Sequence, residues 1–296
     1  GGITKGSIEY AIPTFTGASG LVAVLLMAPS MFVGFDVIPQ SAEEMNIPLK
    51  QIAGVVIVSI CMAASWYILM ILGISLSAPP ELRDTAAVPV ADSMAYAFGS
   101  PIWGKVLIAG AICGILTSWN GFIVGGTRVI FAMARAKMLP EVFAKVHPKY
   151  KTPTAATILV GIICCVSPLL GKNALVWFVN ASAFGTVVAY FMVALAFVMI
   201  RKKEPDLKRP FKVKNAKFVG VMAVLVSAGF ISLYLPIGPG SLQWPYEWGM
   251  ILIWSLIGIV LAALAKRSYK NVGEAEREYL MFGEEYARKE ILEKNK

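Results

Sequence analysis

The sequence predicts an all-α protein that crosses a membrane several times, and three observations carry this. Apolar residues make up 57% of the chain and charged residues only 15%, with a mean hydropathy of +0.68; an ordinary soluble domain has about 45–50% and about 25%. The apolar residues gather into runs long enough to span about 30 Å of hydrocarbon as helix. Lys and Arg gather in alternate connections between those runs, the pattern that sets orientation in a bilayer. One bundle follows more readily than several soluble domains.

Seven runs are counted, at residues 21–38, 52–76, 102–130, 154–170, 175–200, 216–236 and 248–265. They divide the chain into an extracellular segment (1–20), a bundle of seven helices (21–266) and a cytoplasmic helical tail (267–296). Between the runs lie clusters of Pro, Gly and charge such as SAPPELRDTAAVP, KMLPEVFAKVHPKYKTP, RKKEPDLKRPFKVKNAK and PIGPGSLQWP.

The first run is the unusual one. Pro29, Ser30 and Gly34 interrupt it, and Asp36, Glu43 and Glu44 follow at once. Pro29 has no backbone N–H and crowds the preceding turn. Gly34 tolerates unwinding. A discontinuity is therefore expected near Ser30–Gly34. In lipid, freed backbone groups persist only where they are buried in protein or line a cavity. Broken helices near the midplane are a recurrent way for secondary transporters to bind substrate. Exposed N–H groups meet a carboxylate, and free carbonyls meet an ammonium or a cation. A proline kink packed by its neighbours is the plain alternative. Charge at that depth is costly, which makes Asp36 a candidate proton-responsive group or gate. Glu43 and Glu44 are expected at the cytoplasmic boundary, as a solvated helix end or as partners of loop cations.

The third run carries Gly110, Gly114 and Ser118 at four-residue spacing, and again Gly121 and Gly125; such small faces let helices approach closely. The fifth places Asn180, Ser182 and Phe184 at mid-depth, where polar groups either bridge helices or gate. Cys61, Cys113, Cys164 and Cys165 all fall inside apolar runs, without metal-ligand spacing, and read as small packing residues. The single histidine, His147, lies in a basic loop. Nothing here assembles a hydrolytic or metal-dependent catalytic set.

Of the 27 Lys and Arg residues, four fall on one side of the seven runs: Lys5, Arg83, Lys105 and Lys172. The other 23 fall on the opposite side, which is the cytoplasmic side. The N-terminus is thus expected outside and the C-terminus inside. The net charge of +9 is topological and requires no nucleic-acid partner. Trp103, Trp177, Trp244, Tyr246 and Trp248 sit at the expected outer ends, as an interfacial aromatic belt should. In the tail, Glu284/Arg288, Glu285/Lys289 and Glu290/Lys294 are spaced for a solvated helix.

Three stretches resemble the amino acid–polyamine–organocation (APC) superfamily. FVGFDVIPQSAEEMNIPLKQI is similar to its sixth helix and following loop through Phe32, Gly34, Phe35, Asp36, Ala42, Glu43, Glu44, Asn46, Pro48 and Lys50. Here Ile47 stands between Asn46 and Pro48, and Ala53 stands where Pro is frequent. TRVIFAMARAKMLPEVFAKVHPKYKTP resembles the end of the eighth helix and its loop through Arg128, Ala132, Met133, Ala134, Arg135, Leu139 and Pro140. Ala136 and Lys137 replace the family's Asp-Gly. EPDLKRPFKV, Glu204 to Val213, resembles the loop after the tenth helix.

The resemblance implies the second five-helix inverted repeat of a leucine-transporter-type fold plus two C-terminal helices. On that register the first-repeat helices, including the broken first helix that supplies the other half of the substrate site, are expected in a longer transporter of which this chain is a part. The implied activity is secondary active transport of amino acids or related amines by alternating access, as symport or antiport, at the plasma membrane and without covalent chemistry. The implied substrate-binding positions are Ala28, Pro29, Ser30, Met31, Phe32, Val33 and Gly34, with Phe32 as the capping aromatic. Trp119 and Phe122 line the pocket or pack the core. Asp36, Asn180 and Phe184 fall at gating positions. Thr117 and Ser118 resemble a hydroxyl pair that related transporters use for sodium; proton-coupled relatives use a lysine from the fifth helix, so H+ and Na+ both stay open as coupling ions. No organic cofactor is implied. The expected partners are the substrate, the bilayer and the first-repeat helices, and a homodimer is left open. Three other readings are a non-transporting remnant or interaction subunit, a seven-helix receptor, and a membrane enzyme. The last run has no lysine to hold retinal, and no catalytic cluster supports the enzyme.

Overall fold

The computed structural model describes residues 18–42, 45–171, 173–205, 209, 211–270, 272–273, 276–277 and 279–280. Glu43, Glu44, the three tail pairs and the expected extracellular segment up to residue 17 lie outside the described residues. Among the described residues all regular structure is helical.

Among the described residues ten α-helices follow one another: α1 Ala18–Met31, α2 Val37–Gln40, α3 Leu49–Ser77, α4 Pro80–Thr85, α5 Pro89–Phe98, α6 Pro101–Arg135, α7 Thr154–Val166, α8 Ala174–Lys203, α9 Ala216–Tyr234 and α10 Tyr246–Ser268. Short 3-10 turns occupy Glu141–Ala144 and Ser167–Leu170. Five helices, α3, α6, α8, α9 and α10, are long and apolar enough to cross a membrane. The other two runs are interrupted. The first is divided into α1, a turn over residues 32–36, and α2. The fourth passes from α7 into the 3-10 turn at Ser167–Leu170, where Pro168 withholds an N–H from the α-helical ladder.

Local chemistry sets most of the boundaries. α4, α5 and α6 each begin on a proline, where the missing N–H is one that no helix could have used. α5 stops at Gly99, whose φ of 68° permits the left-handed cap, closed by Ser100 N–H to Ala95 C=O at 3.1 Å and Gly99 N–H to Tyr96 C=O at 3.2 Å. α6 stops in the same way without a glycine. Lys137 takes φ 58°, Lys137 N–H donates to Ala134 C=O at 3.0 Å, and Met138 N–H to Met133 C=O at 2.9 Å. The turn that Asp-Gly would make is thus kept by Ala136-Lys137, and Ala134, Ala136 and Leu139 are buried around it.

The chain divides into two compact units. The first holds residues 53–122: most of α3, then α4, α5 and α6 as far as Phe122. In it α4 packs on α5, and a Cβ at Gly104 would come 2.9 Å from the Ala91 carbonyl oxygen, so α5 and α6 meet at glycine. The second holds residues 21–52 and 123 onward. There α8 packs on α9 and α10 around Ala183, Val187, Tyr234 and Leu242, joined by Leu26, Phe184, Phe230 and Trp248. The outer apolar faces of the long helices are open, as lipid-facing helices require. Cys61, Cys113 and Cys165 are exposed on them and Cys164 is half-buried, so these residues line surfaces rather than fill a core.

Candidate functional site

The site is built on the break after α1. Pro29 lies inside the helix, and the Leu25 carbonyl therefore loses its ordinary donor. The helix nevertheless holds through Met31, with Phe32 N–H still reaching Ala28 C=O at 3.3 Å. Then it opens. Among the described residues, the N–H groups of Val33 and Phe35 and the carbonyls of Pro29 and Ser30 find no hydrogen-bond partner. Gly34 turns the chain at φ 127°, a region closed to side chains by the clash of Cβ with the backbone. Its N–H donates to Asp36 Oδ1 at 2.9 Å, and Gln40 Nε2 donates to Asp36 Oδ2 at 3.4 Å. Asp36 therefore folds back on the break and sits at the head of α2. The Ser30 hydroxyl donates to the Met27 carbonyl at 2.8 Å; its side chain is used within its own helix.

Two neighbours hold this segment. The Tyr234 hydroxyl, from the buried end of α9, donates to the Leu26 carbonyl at 2.7 Å. Gly240 gives the Leu26 side chain its room: a Cβ there would lie 2.5 Å from it. A cavity of about 360 Å³ opens between the break, α8 and α9, lined among others by Ala28, Pro29, Phe32, Tyr190, Ser227 and Phe230. It is mainly apolar. The Tyr190 hydroxyl is buried and has no hydrogen-bond partner among the described residues, and the Tyr190 ring stands 5.7 Å from that of Phe35.

Other expected positions sort differently. Asn180 on α8 donates through Nδ2 to Glu247 Oε1 at 2.6 Å. Glu247 in the first turn of α10 is 2% exposed, and its Oε2 accepts the Gln243 N–H at 2.7 Å. Both carboxylate oxygens are thus met by donors, at a helix start where negative charge is favoured. Phe184 is a core ring, edge-on to Tyr234 at 6.0 Å and to Trp248 at 5.7 Å. Thr117, Ser118, Trp119 and Phe122 belong to the first unit. Thr117 Oγ1 donates to the Cys113 carbonyl at 2.9 Å, and the other three are exposed. Of the small residues on α6, Gly110, Gly114 and Gly121 face open space, whereas Gly125 carries a close contact: a Cβ would lie 2.8 Å from Gln40 Oε1 and 3.0 Å from Val37. Nearby, Arg128 donates to the Ser41 hydroxyl at 2.6 Å. α6 is thereby fastened to α2, the element that Asp36 heads.

Sequence reasoning did not single out Tyr234, Tyr190 or Glu247. Glu247 had a signal, an acid at the mouth of an apolar run. A tyrosine hydroxyl that reaches a carbonyl on a helix 208 residues away in the chain has none.

Comparisons with known proteins bear on the family. A sequence model described as amino acid permease matches residues 4–264. The chain is 30% identical over 257 residues to the methylthioribose transporter of Bacillus subtilis (strain 168), which covers 84% of this chain and 52% of that protein. It is 30% identical over 266 residues to the branched-chain amino acid permease BcaP of the same organism, covering 87% and 53%. It is 32% identical over 186 residues to the human cationic amino acid transporter 4, covering 62% and 28%. The chain spans about half the length of these two Bacillus subtilis relatives. With a family match that runs through the break, the α6 motif and all five long helices, the chain belongs to the amino acid permease family, within the APC superfamily.

Proposed function

We propose that this chain is the second half of the working part of a secondary transporter that carries amino acids or related amines across the plasma membrane by alternating access. The observation that carries the reading is the break after α1. Two N–H groups and two carbonyls without partners among the described residues lie within a few residues of one another, beside a glycine at φ 127°. That pairing suits a zwitterion, whose carboxylate takes N–H groups and whose ammonium takes carbonyls. The backbone of Ala28 to Gly34 binds the substrate's main chain, and Phe32 caps it. The helices form the second inverted repeat and two additional spans, seven in all, with the C-terminus in the cytoplasm. The half of the relatives' length that this chain does not match supplies the opposing wall.

Coupling is assigned to two places. Asp36, tied to the Gly34 N–H, responds to protons by holding or releasing the break. Thr117 and Ser118 supply hydroxyl oxygens to sodium. Asn180 and Phe184 on α8 are assigned to gating.

The test is uptake of radiolabelled amino acids into proteoliposomes that carry the complete transporter of which this chain is proposed to be a part, with Gly34→Ala beside the wild type. A Cβ at this φ carries about 1–3 kcal/mol of strain, so the break must re-form elsewhere and uptake should fall about tenfold or more. Wild-type uptake in Gly34→Ala would remove the break from substrate binding, and no uptake of any amino acid by the wild type would remove the reading itself.

A further inference from the structure

A second cavity lies away from the break, at the opposite end of the α10 span from Glu247. Its volume is about 510 Å³, and it is lined by Lys266, Arg267, Tyr269, Lys270, Val272 and Arg277 among others. The chain folds back to make it. Tyr269 N–H closes α10 on Ala265 C=O at 2.8 Å, Val272 N–H turns onto Tyr269 C=O at 3.2 Å, and Arg277 N–H onto Gly273 C=O at 3.2 Å. Four cationic side chains therefore share one cavity.

Three features say what would fill it. The first is charge, since Lys266, Arg267, Lys270 and Arg277 all line the cavity. The second is a pair of orphaned donors. Arg277 Nε and the Tyr269 hydroxyl are both buried and without a partner among the described residues, and buried donors in native proteins nearly always find an acceptor. Burial, with Glu141 near by, pushes the Tyr269 phenol above its usual range, so the hydroxyl remains a donor at every physiological pH. Lys137 Nζ, 4.8 Å from the centre of the Tyr269 ring, adds positive charge behind it. The third is depth. Lys266 and Arg267 form the last turn of a membrane-spanning helix, the level at which hydrocarbon gives way to headgroups. Exposed Ile257, Val260 and Leu264 lead along α10 to Arg267 at helical spacing, an apolar track of the kind an acyl chain follows.

We propose that this cavity binds the phosphate headgroup of an anionic phospholipid, with the phosphate oxygens taking Arg277 Nε and the Tyr269 hydroxyl while Lys266, Arg267 and Lys270 neutralise its charge. The acyl chains lie along Ile257, Val260 and Leu264. The site anchors the end of α10 at the membrane surface and is independent of substrate binding at the break.

Native mass spectrometry of the purified protein in detergent tests this with phosphatidylglycerol and phosphatidylcholine of equal acyl length. Each cation at a membrane surface contributes about fivefold in affinity. The wild type should retain phosphatidylglycerol over phosphatidylcholine by about tenfold, and Lys270→Gln with Arg277→Gln should bring the two close to parity. Lys202→Gln with Lys203→Gln, at the end of α8, should leave the preference unchanged. Parity in the wild type overturns the proposal, as does a preference that survives Lys270→Gln with Arg277→Gln. Displacement of phosphatidylglycerol by millimolar inorganic phosphate would show a soluble-phosphate site and overturn the lipid assignment. If the double variant loses its helical circular dichroism, Tyr269→Phe decides: it removes one donor to the phosphate and should lower the phosphatidylglycerol retained about fivefold, and unchanged retention overturns the phosphate contact.

Discussion

Asp36 and Ser118 show how differently single residues stand in this fold. Asp36 is engaged on both oxygens, by Gly34 N–H and by Gln40. Asp36→Asn keeps an acceptor near Gly34 but removes the charge. If proton coupling passes through this carboxylate, the pH profile of uptake flattens or shifts while the folded yield is unchanged. An identical profile would leave Asp36 as a cap for the break. Ser118 is exposed in its unit, without a hydrogen bond among the described residues, unlike Thr117, whose hydroxyl donates to the Cys113 carbonyl and keeps its oxygen lone pairs. Ser118→Ala is expected to raise the sodium concentration for half-maximal uptake several-fold, since one hydroxyl ligand of a hard cation is lost. The same sodium dependence as wild type would assign Ser118 to packing. At this scale Gly34 was legible from residue type alone, because a positive φ at a turn admits little else. Lys137 was not: its φ of 58° goes against its residue type, and the buried surroundings impose it.

At the scale of elements, the connections between helices matter more than the helices. α8 and α10 are joined at one end by Asn180–Glu247 and by the stacked rings of Trp177 and Tyr246, 4.2 Å apart. Glu247→Ala would leave the half-buried Asn180 amide and the Gln243 N–H without acceptors. Hydrogen bonds to a charged group contribute about 1.5–3 kcal/mol each. The melting temperature in detergent should therefore drop by several degrees, with no change in sodium dependence. A melting curve that overlays the wild type would mean that the carboxylate is replaceable by water. The first and fourth runs teach a related lesson. Composition marked both as apolar, but an apolar run does not say where its helix stops. Pro29 did not end α1, whose ladder continues to Phe32; the stop came where Gly34 turned and Asp36 folded back.

For the whole molecule, the charge distribution makes an orientation testable. Ile237, in the connection between α9 and α10, is fully exposed, and Lys214 precedes α9 in the basic connection. With cysteine at each in turn, a membrane-impermeant maleimide should label Ile237→Cys in intact cells and Lys214→Cys only after permeabilisation. The reverse pattern would invert the orientation of the chain.

Sequence by itself determined the all-helical membrane character, the places of the five long helices, the break near Gly34 and the family. Each of these depends on quantities that are local along the chain: hydropathy over about 20 residues, the φ a residue can adopt, and short motifs in order. What only the tertiary structure decided is which groups meet. Tyr234 reaches Leu26, Glu247 takes Asn180, Arg128 takes Ser41, and Arg277 with Tyr269 closes a basic cavity. These pairings depend on how helices far apart in sequence rotate and slide against one another. In a chain with apolar residues on nearly every helix face, no amphipathic pattern specifies that rotation; packing and the satisfaction of a few buried polar groups do.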